Sequence, residues 1–143
     1  MRWYKDIPKD ELGNKYELIE PVSIIVDVHL PSCIGKDKNG NIVLMIKRNC
    51  ISIMPPYRWD GATCAPDFES VLLPSLVHDI LYDAIKSGYI LTFEIADAIF
   101  MSLMKETDFP LKNTYYSAVR RFGEWCRKDL STGTLTIENF QDE

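Results

Sequence analysis

Four polar side chains have the types and spacing that general acid–base chemistry needs. His78 and Tyr82 are four residues apart, so they share one face of a helix, and Asp79 lies one residue further round. Asp97 is the only charged residue between positions 95 and 104. A carboxylate in so apolar a helix needs a partner, because an uncompensated buried charge is costly. A histidine oriented by an aspartate suits a general base, so the sequence predicts a His78–Asp97 dyad with Tyr82 beside it.

Each of these residues also has a structural interpretation. His78, at the margin of an apolar helix face, is by itself more often a core histidine than a catalyst. Asp79 would then be a solvated helix residue. Arg120, on the third predicted helix, is the other candidate partner for Asp97, and a buried structural ion pair between them has the same weight as the dyad.

A polar loop over residues 59–66 precedes the first helix. Asp60, Gly61 and Thr63 make it a candidate binding loop, although in a turn such side chains also hydrogen-bond to backbone amides. Asp60 and Asp79 are hard oxygen ligands that suit Ca²⁺ or Mg²⁺ if the loop folds back over the helices. The sequence therefore raises a metal-binding hypothesis at these two carboxylates.

The elements that would position these residues are β-rich first and helical second. Apolar, β-branched runs predict strands at 23–30, 41–47 and 51–54. The Asn39-Gly40 pair predicts a tight reversal between the first two strands. A period near 3.6 predicts helices at about 74–87, 93–106 and 113–128. Pro74 suits the opening turn of the first helix, and Thr92 is the predicted cap of the second.

This order predicts an α+β fold, in which a short N-terminal antiparallel sheet packs against a helical hairpin and a third helix. The chain has 143 residues, close to the ~150 residues of one domain. The predicted parts are a single domain over 1–130, with a β-rich segment 15–56, a motif loop 57–68 and a helical segment 69–128, followed by an acidic C-terminal tail over 131–143. We expect the tail to be loosely held, with 135–137 as its only possible strand.

Composition and charge exclude several classes of function. The net charge of −5 argues against a nucleic-acid partner, which needs a broad basic surface. No apolar stretch reaches the roughly 18–20 residues of a membrane span, and the first residues do not form a signal peptide. The four cysteines have no CxxC pair, so we expect free and mostly buried thiols rather than a zinc site.

The two helical motifs resemble the catalytic core of phospholipases A2, including the parvoviral capsid form. There an HDxxY helix is followed by an ADxxF helix, as residues 78–82 are followed here by 96–100. The resemblance implies that His78 activates water, that Asp79 binds calcium and that Asp97 orients His78. The Gly-rich calcium loop and the disulfides of those enzymes have no counterpart in this sequence.

A longer resemblance, over about residues 43–126, is to an uncharacterised domain family of tailed phages and prophages. Its motifs have the types TDGASxP, HDxLY, ADxxF and YxAVRxFG, and they correspond here to 59–66, 78–82, 96–100 and 116–123. The resemblance implies a phage context. The protein would then act in the host cytoplasm or within a virion, with other virion proteins or a host protein as partners.

Two functions follow from these expectations. The first is a phage-associated, hydrolase-like domain in which a His78–Asp97 dyad, with or without a metal, acts on an ester or phosphoester. The second is a non-enzymatic virion or tail-assembly component, or an inhibitor of a host protein, in which the same polar network fixes the fold.

Overall fold

The computed structural model describes residues 2–61, 66–126 and 133–140, with side chains given for all of these except 122–126. The fold is mixed α+β, as predicted. The strands are β1 (Tyr4–Asp6), β2 (Tyr16–Leu18), β3 (Val22–Lys36), β4 (Ile42–Ile53), β5 (Arg58–Trp59) and β6 (Thr136–Phe140), and the helices are α1 (Glu69–Lys86), α2 (Phe93–Glu106) and α3 (Lys112–Cys126).

A long antiparallel hairpin of β3 and β4 replaces the three shorter strands that the sequence predicts. The predicted reversal is confirmed: Gly40 has φ of 84°, and Asp37 accepts backbone hydrogen bonds from Asn39 and Asn41. The predicted break near residue 48 is an irregularity within β4, where Arg48 has φ of 58° and the register shifts. An interrupted apolar pattern thus marks a bulge rather than a strand end.

A second small sheet, with strand order β1-β2-β5, was not predicted. Its strands have two or three residues each, too short to show an alternating pattern. Its aromatic side chains hold it together: the Trp59 ring is fully buried and stacks on the Trp3 ring at a centroid distance of 5.7 Å. β5 lies within the segment 57–68 that the sequence predicts as loop.

The expectation of a loosely held C-terminal tail is wrong for residues 133–140. β6 pairs antiparallel with β3 and completes the sheet of order β4-β3-β6. Its start is fixed to the end of α1, because the Thr134 amide donates to the Asp83 carboxylate at 2.6 Å and the Leu135 amide donates to the Ser87 hydroxyl at 3.1 Å. The strand that the sequence allowed at 135–137 overlaps β6, which continues to Phe140.

The helices agree with prediction in number and order. α1 begins at Glu69, so Pro74 lies inside the helix rather than in its opening turn. α2 has the predicted bounds, and the predicted cap is present, since the Thr92 hydroxyl accepts from the Ile95 amide at 3.2 Å. Of the described residues, none belongs to a helix long and apolar enough to cross a membrane.

α1 is buried on nearly all faces between Val71 and Ala84, with the sheets and α2 packed around it. Its polar residues are buried as well, and the interpretation of Asp79 as a solvated residue is therefore wrong: its exposed fraction is 1%. Polar side chains of a helix in this position must bind within the protein, because water does not reach them. The buried polar side chains of α1 and the groups that they bind therefore form the candidate site.

Candidate functional site

The first polar contact joins α1 to α2 through His78 and Asp97. The His78 Nε2 atom lies 2.6 Å from the Asp97 Oδ1 atom, and the two residues are 6% and 0% exposed. The helices present these groups to each other because His78, near the middle of α1, lies on the face that packs on α2, and Asp97 lies in the second turn of α2. The structure thus contains the predicted dyad contact.

Tyr82, one turn after His78, reinforces this contact. Its hydroxyl donates to the same Asp97 Oδ1 atom at 2.7 Å. The rings of His78 and Tyr82 have centroids 4.3 Å apart, and the Phe100 ring lies 4.7 Å from His78 on the α2 side. The hydrogen bond to Asp97 and these ring contacts orient the imidazole.

Arg120 brings α3 to the same carboxylate. Its Nη1 atom lies 2.6 Å from the Asp97 Oδ2 atom, and its Nη2 atom lies 3.7 Å from a Glu94 carboxylate oxygen. The two pairings that the sequence left open are therefore both present, one on each oxygen of Asp97. We call His78, Tyr82, Asp97 and Arg120 the Asp97 cluster.

The electrostatics of this cluster keep Asp97 ionised. Burial raises the pKa of Asp97, but hydrogen bonds from His78, Tyr82 and Arg120, with the attraction of the His78 charge, outweigh it and lower the pKa below 3.8. The hydrogen bond to Asp97 in turn raises the pKa of Arg120. An ionised carboxylate only accepts hydrogen bonds, so Nε2 of His78 carries a proton, and when the ring is neutral Nδ1 is the nitrogen that can accept one.

The candidate loop docks against α1 on a different side. The Asp60 amide donates to the Asp79 Oδ2 atom at 3.3 Å, and the Trp59 indole donates to the Ser75 hydroxyl at 3.2 Å. Gly61 has φ of 80°, and a Cβ atom there would overlap the Asp67 carboxylate. Thr63 lies outside the described residues.

The Asp60–Asp79 pair was also a candidate metal site. These two aspartates are brought together, but the contact is made by the Asp60 amide on an Asp79 oxygen. Within 2–61, 66–126 and 133–140, no three His, Cys, Asp or Glu side chains are grouped so that they could hold a metal ion. Calcium takes six to eight oxygens, of which these two carboxylates would supply only a part, and no step below involves a metal.

A buried cluster around Asp83 was missed in the sequence. The Asp83 carboxylate accepts hydrogen bonds from the Tyr57 hydroxyl at 3.2 Å and from the amide and hydroxyl of Thr134, each at 2.6 Å. The sequence does contain a pattern that indicates this cluster, because Ser75, Asp79 and Asp83 recur every four residues and so lie in one stripe along α1. This stripe faces β5, the loop and the start of β6.

Two cavities, of about 460 and 430 Å³, lie among strands and loops. Neither is lined by a member of the Asp97 cluster. Comparisons with protein-family models, curated proteins and solved structures gave no match.

Proposed function

We propose that this protein is a phage-associated, hydrolase-like domain in which His78 is the general base and acts on an ester or phosphoester. The observation that carries the proposal is the 2.6 Å contact between His78 Nε2 and Asp97 Oδ1, with the Tyr82 hydroxyl on the same oxygen. The resemblance of residues 78–82 and 96–100 to phospholipase A2 helices supports the same chemistry.

The chemistry assigns one task to each group. His78 Nδ1 takes a proton from water, and the resulting hydroxide attacks the carbonyl carbon or the phosphorus atom. The bond to the leaving oxygen breaks, and the imidazolium returns its proton to that oxygen. Asp97 stabilises the imidazolium and holds the ring in place, while Tyr82 and Arg120 hold Asp97.

A non-enzymatic role is the second candidate, and a different observation favours it. Asp97 accepts hydrogen bonds from α1 and α3 while it lies on α2, so it connects all three helices. His78 is only 6% exposed. A virion or tail-assembly component, or an inhibitor of a host protein, needs only this structural role of the network.

A comparison of two glutamine variants separates the candidates. The chain has two histidines, and His29 lies exposed on β3, which makes His29→Gln the matched control for His78→Gln. Wild type and both variants are assayed on phospholipid, aryl ester and phosphodiester substrates. Because general acid–base catalysis contributes about 10²–10⁴-fold, we expect His78→Gln to lose that factor and His29→Gln to lose nothing.

The outcomes are distinct. Wild-type activity should rise with pH as His78 loses its proton, and His78→Gln should abolish that rise. Full activity in His78→Gln would show that His78 is not the base. Absence of wild-type turnover on all three substrate classes would favour the virion or inhibitor role, which pull-down from infected and uninfected host lysates then tests.

A further inference from the structure

A cleft of about 460 Å³ lies on the sheet of β3, β4 and β6. Its volume lies within the roughly 300–1,000 Å³ of small-molecule sites. None of its lining residues belongs to a helix, so it is separate from the Asp97 cluster. Met45 and Phe140 line it with side chains that are 46% and 44% exposed, which gives it an accessible apolar wall. We call this region the sheet cleft.

The charged residues that line the sheet cleft are Lys47 and Arg48, and both are cations. Neither makes an ion pair or a side-chain hydrogen bond to another described residue, whereas Arg58 and Arg120 bind carboxylates. Neighbouring cations without a partner among the described residues stand out in a chain with a net charge of −5. The electrostatic complement of the sheet cleft is therefore an anion.

The backbone brings these two cations to the same cleft. Successive residues of a regular strand point to opposite faces of the sheet. Arg48 breaks this rule with φ of 58°, in a part of β4 where the register with β3 shifts. A non-glycine residue in this conformation is uncommon and persists only where the surrounding structure holds it. Its consequence here is that Lys47 and Arg48 both line one cleft.

We propose that the sheet cleft binds a small amphipathic anion, whose carboxylate or phosphate head pairs with Lys47 and Arg48 while its apolar body lies against Met45 and Phe140. This ligand matches both properties of the cleft, whereas an inorganic anion matches only the charge.

Calorimetric titration of the full chain with decanoate, decyl phosphate, decanol and inorganic phosphate tests the proposal. We expect one site for decanoate or decyl phosphate, with decanol and phosphate each at least about tenfold weaker because each lacks one of the two contacts. Lys47→Gln/Arg48→Gln should weaken decanoate binding about tenfold, since two exposed ion pairs are lost. Lys9→Gln/Lys105→Gln removes the same charge from exposed positions elsewhere and should change nothing.

Alkylation of Cys50 locates the ligand independently. Cys50 is a half-buried free thiol in the cleft lining, whereas burial raises the pKa of Cys33 to about 12 and keeps that thiol unreactive. Bound decanoate should slow modification of Cys50 by N-ethylmaleimide, read by peptide mass mapping. Equal binding by the Lys47→Gln/Arg48→Gln protein, equal binding of decanol, or an unchanged Cys50 rate would each overturn the proposal. Lys47→Gln alone repeats the test with Arg48 in place.

Discussion

Replacing Asp97 by alanine removes the acceptor that joins the three helices. The Asp97 side chain is fully buried and accepts from His78, Tyr82 and Arg120. Breaking a buried pair by removing one partner costs about 3–5 kcal/mol, because the other group stays buried without a partner. The Arg120 side chain is 35% exposed and can turn to water. We therefore expect a loss near the lower limit, about 3 kcal/mol.

Urea unfolding followed by circular dichroism measures this loss as a shift in midpoint at constant slope. Asp27→Ala is the matched control, because Asp27 is an exposed residue of β3 and should change stability by less than about 0.5 kcal/mol. Asp97→Asn keeps one carbonyl acceptor and should lie between wild type and Asp97→Ala. A loss in Asp97→Ala no larger than that of the control would refute the buried network.

Three further predictions concern the ionisation of Asp97, the start of β6 and the metal hypothesis. Burial opposes ionisation of Asp97, but its hydrogen-bond donors prevail and hold its pKa below 3.8. Ionised Asp97 therefore contributes its full stabilisation above the ordinary aspartate pKa, and this stabilisation is lost as the pH falls through the lowered pKa of the folded protein. Acid unfolding of Asp97→Asn should consequently be less steep below about pH 4 than that of wild type. A Cβ atom at Gly133 would overlap Ser87 and the Asp83 backbone. Gly133→Ala should therefore lower the free energy of unfolding by about 1–3 kcal/mol and speed hydrogen exchange in β6. Unchanged exchange in β6 would contradict this packing. If Asp60 and Asp79 hold Ca²⁺ or Mg²⁺, millimolar calcium or magnesium should raise the melting temperature of the wild type and leave that of Asp79→Asn unchanged; no shift with either ion would remove the metal hypothesis.

The helical half of the fold was predictable because its signals are local. The apolar period and Thr92 give the bounds of α2, and the four-residue spacing of His78 and Tyr82 places them on one face. A charge alone in an apolar segment indicated that Asp97 must have a partner. Those rules could not choose between His78 and Arg120, because a carboxylate has two oxygens and accepts from both.

The β half was less predictable because its partners are distant in sequence. β1, β2 and β5 are too short for an alternating pattern, and β5 pairs with β2 some forty residues away, from Tyr16 to Trp59. The composition around β6 predicts a polar tail, because the residues that hold this strand in place, in β3 and at Asp83 of α1, are distant from it in sequence. Strand pairing across such separations leaves little trace in local composition.

α1 carries two polar stripes, and they have different consequences for function. Ser75, Asp79 and Asp83 bind the indole, amide, hydroxyl and backbone groups of neighbouring segments, so that stripe fixes the strands and the loop around the helix. The other stripe, His78 and Tyr82, ends on one oxygen of Asp97, while Arg120 occupies the other oxygen. Each role can therefore be removed without the other.

This division makes the two proposed functions separable in a single molecule. Loss of the Arg120 contact leaves the imidazole on its own carboxylate oxygen, so it weakens the connection to α3 without removing the base. His78→Gln removes the base and leaves the Arg120–Asp97 pair in place. A scaffold would respond to both changes through stability alone, whereas a general-base enzyme would lose turnover with the second change out of proportion to any loss of stability.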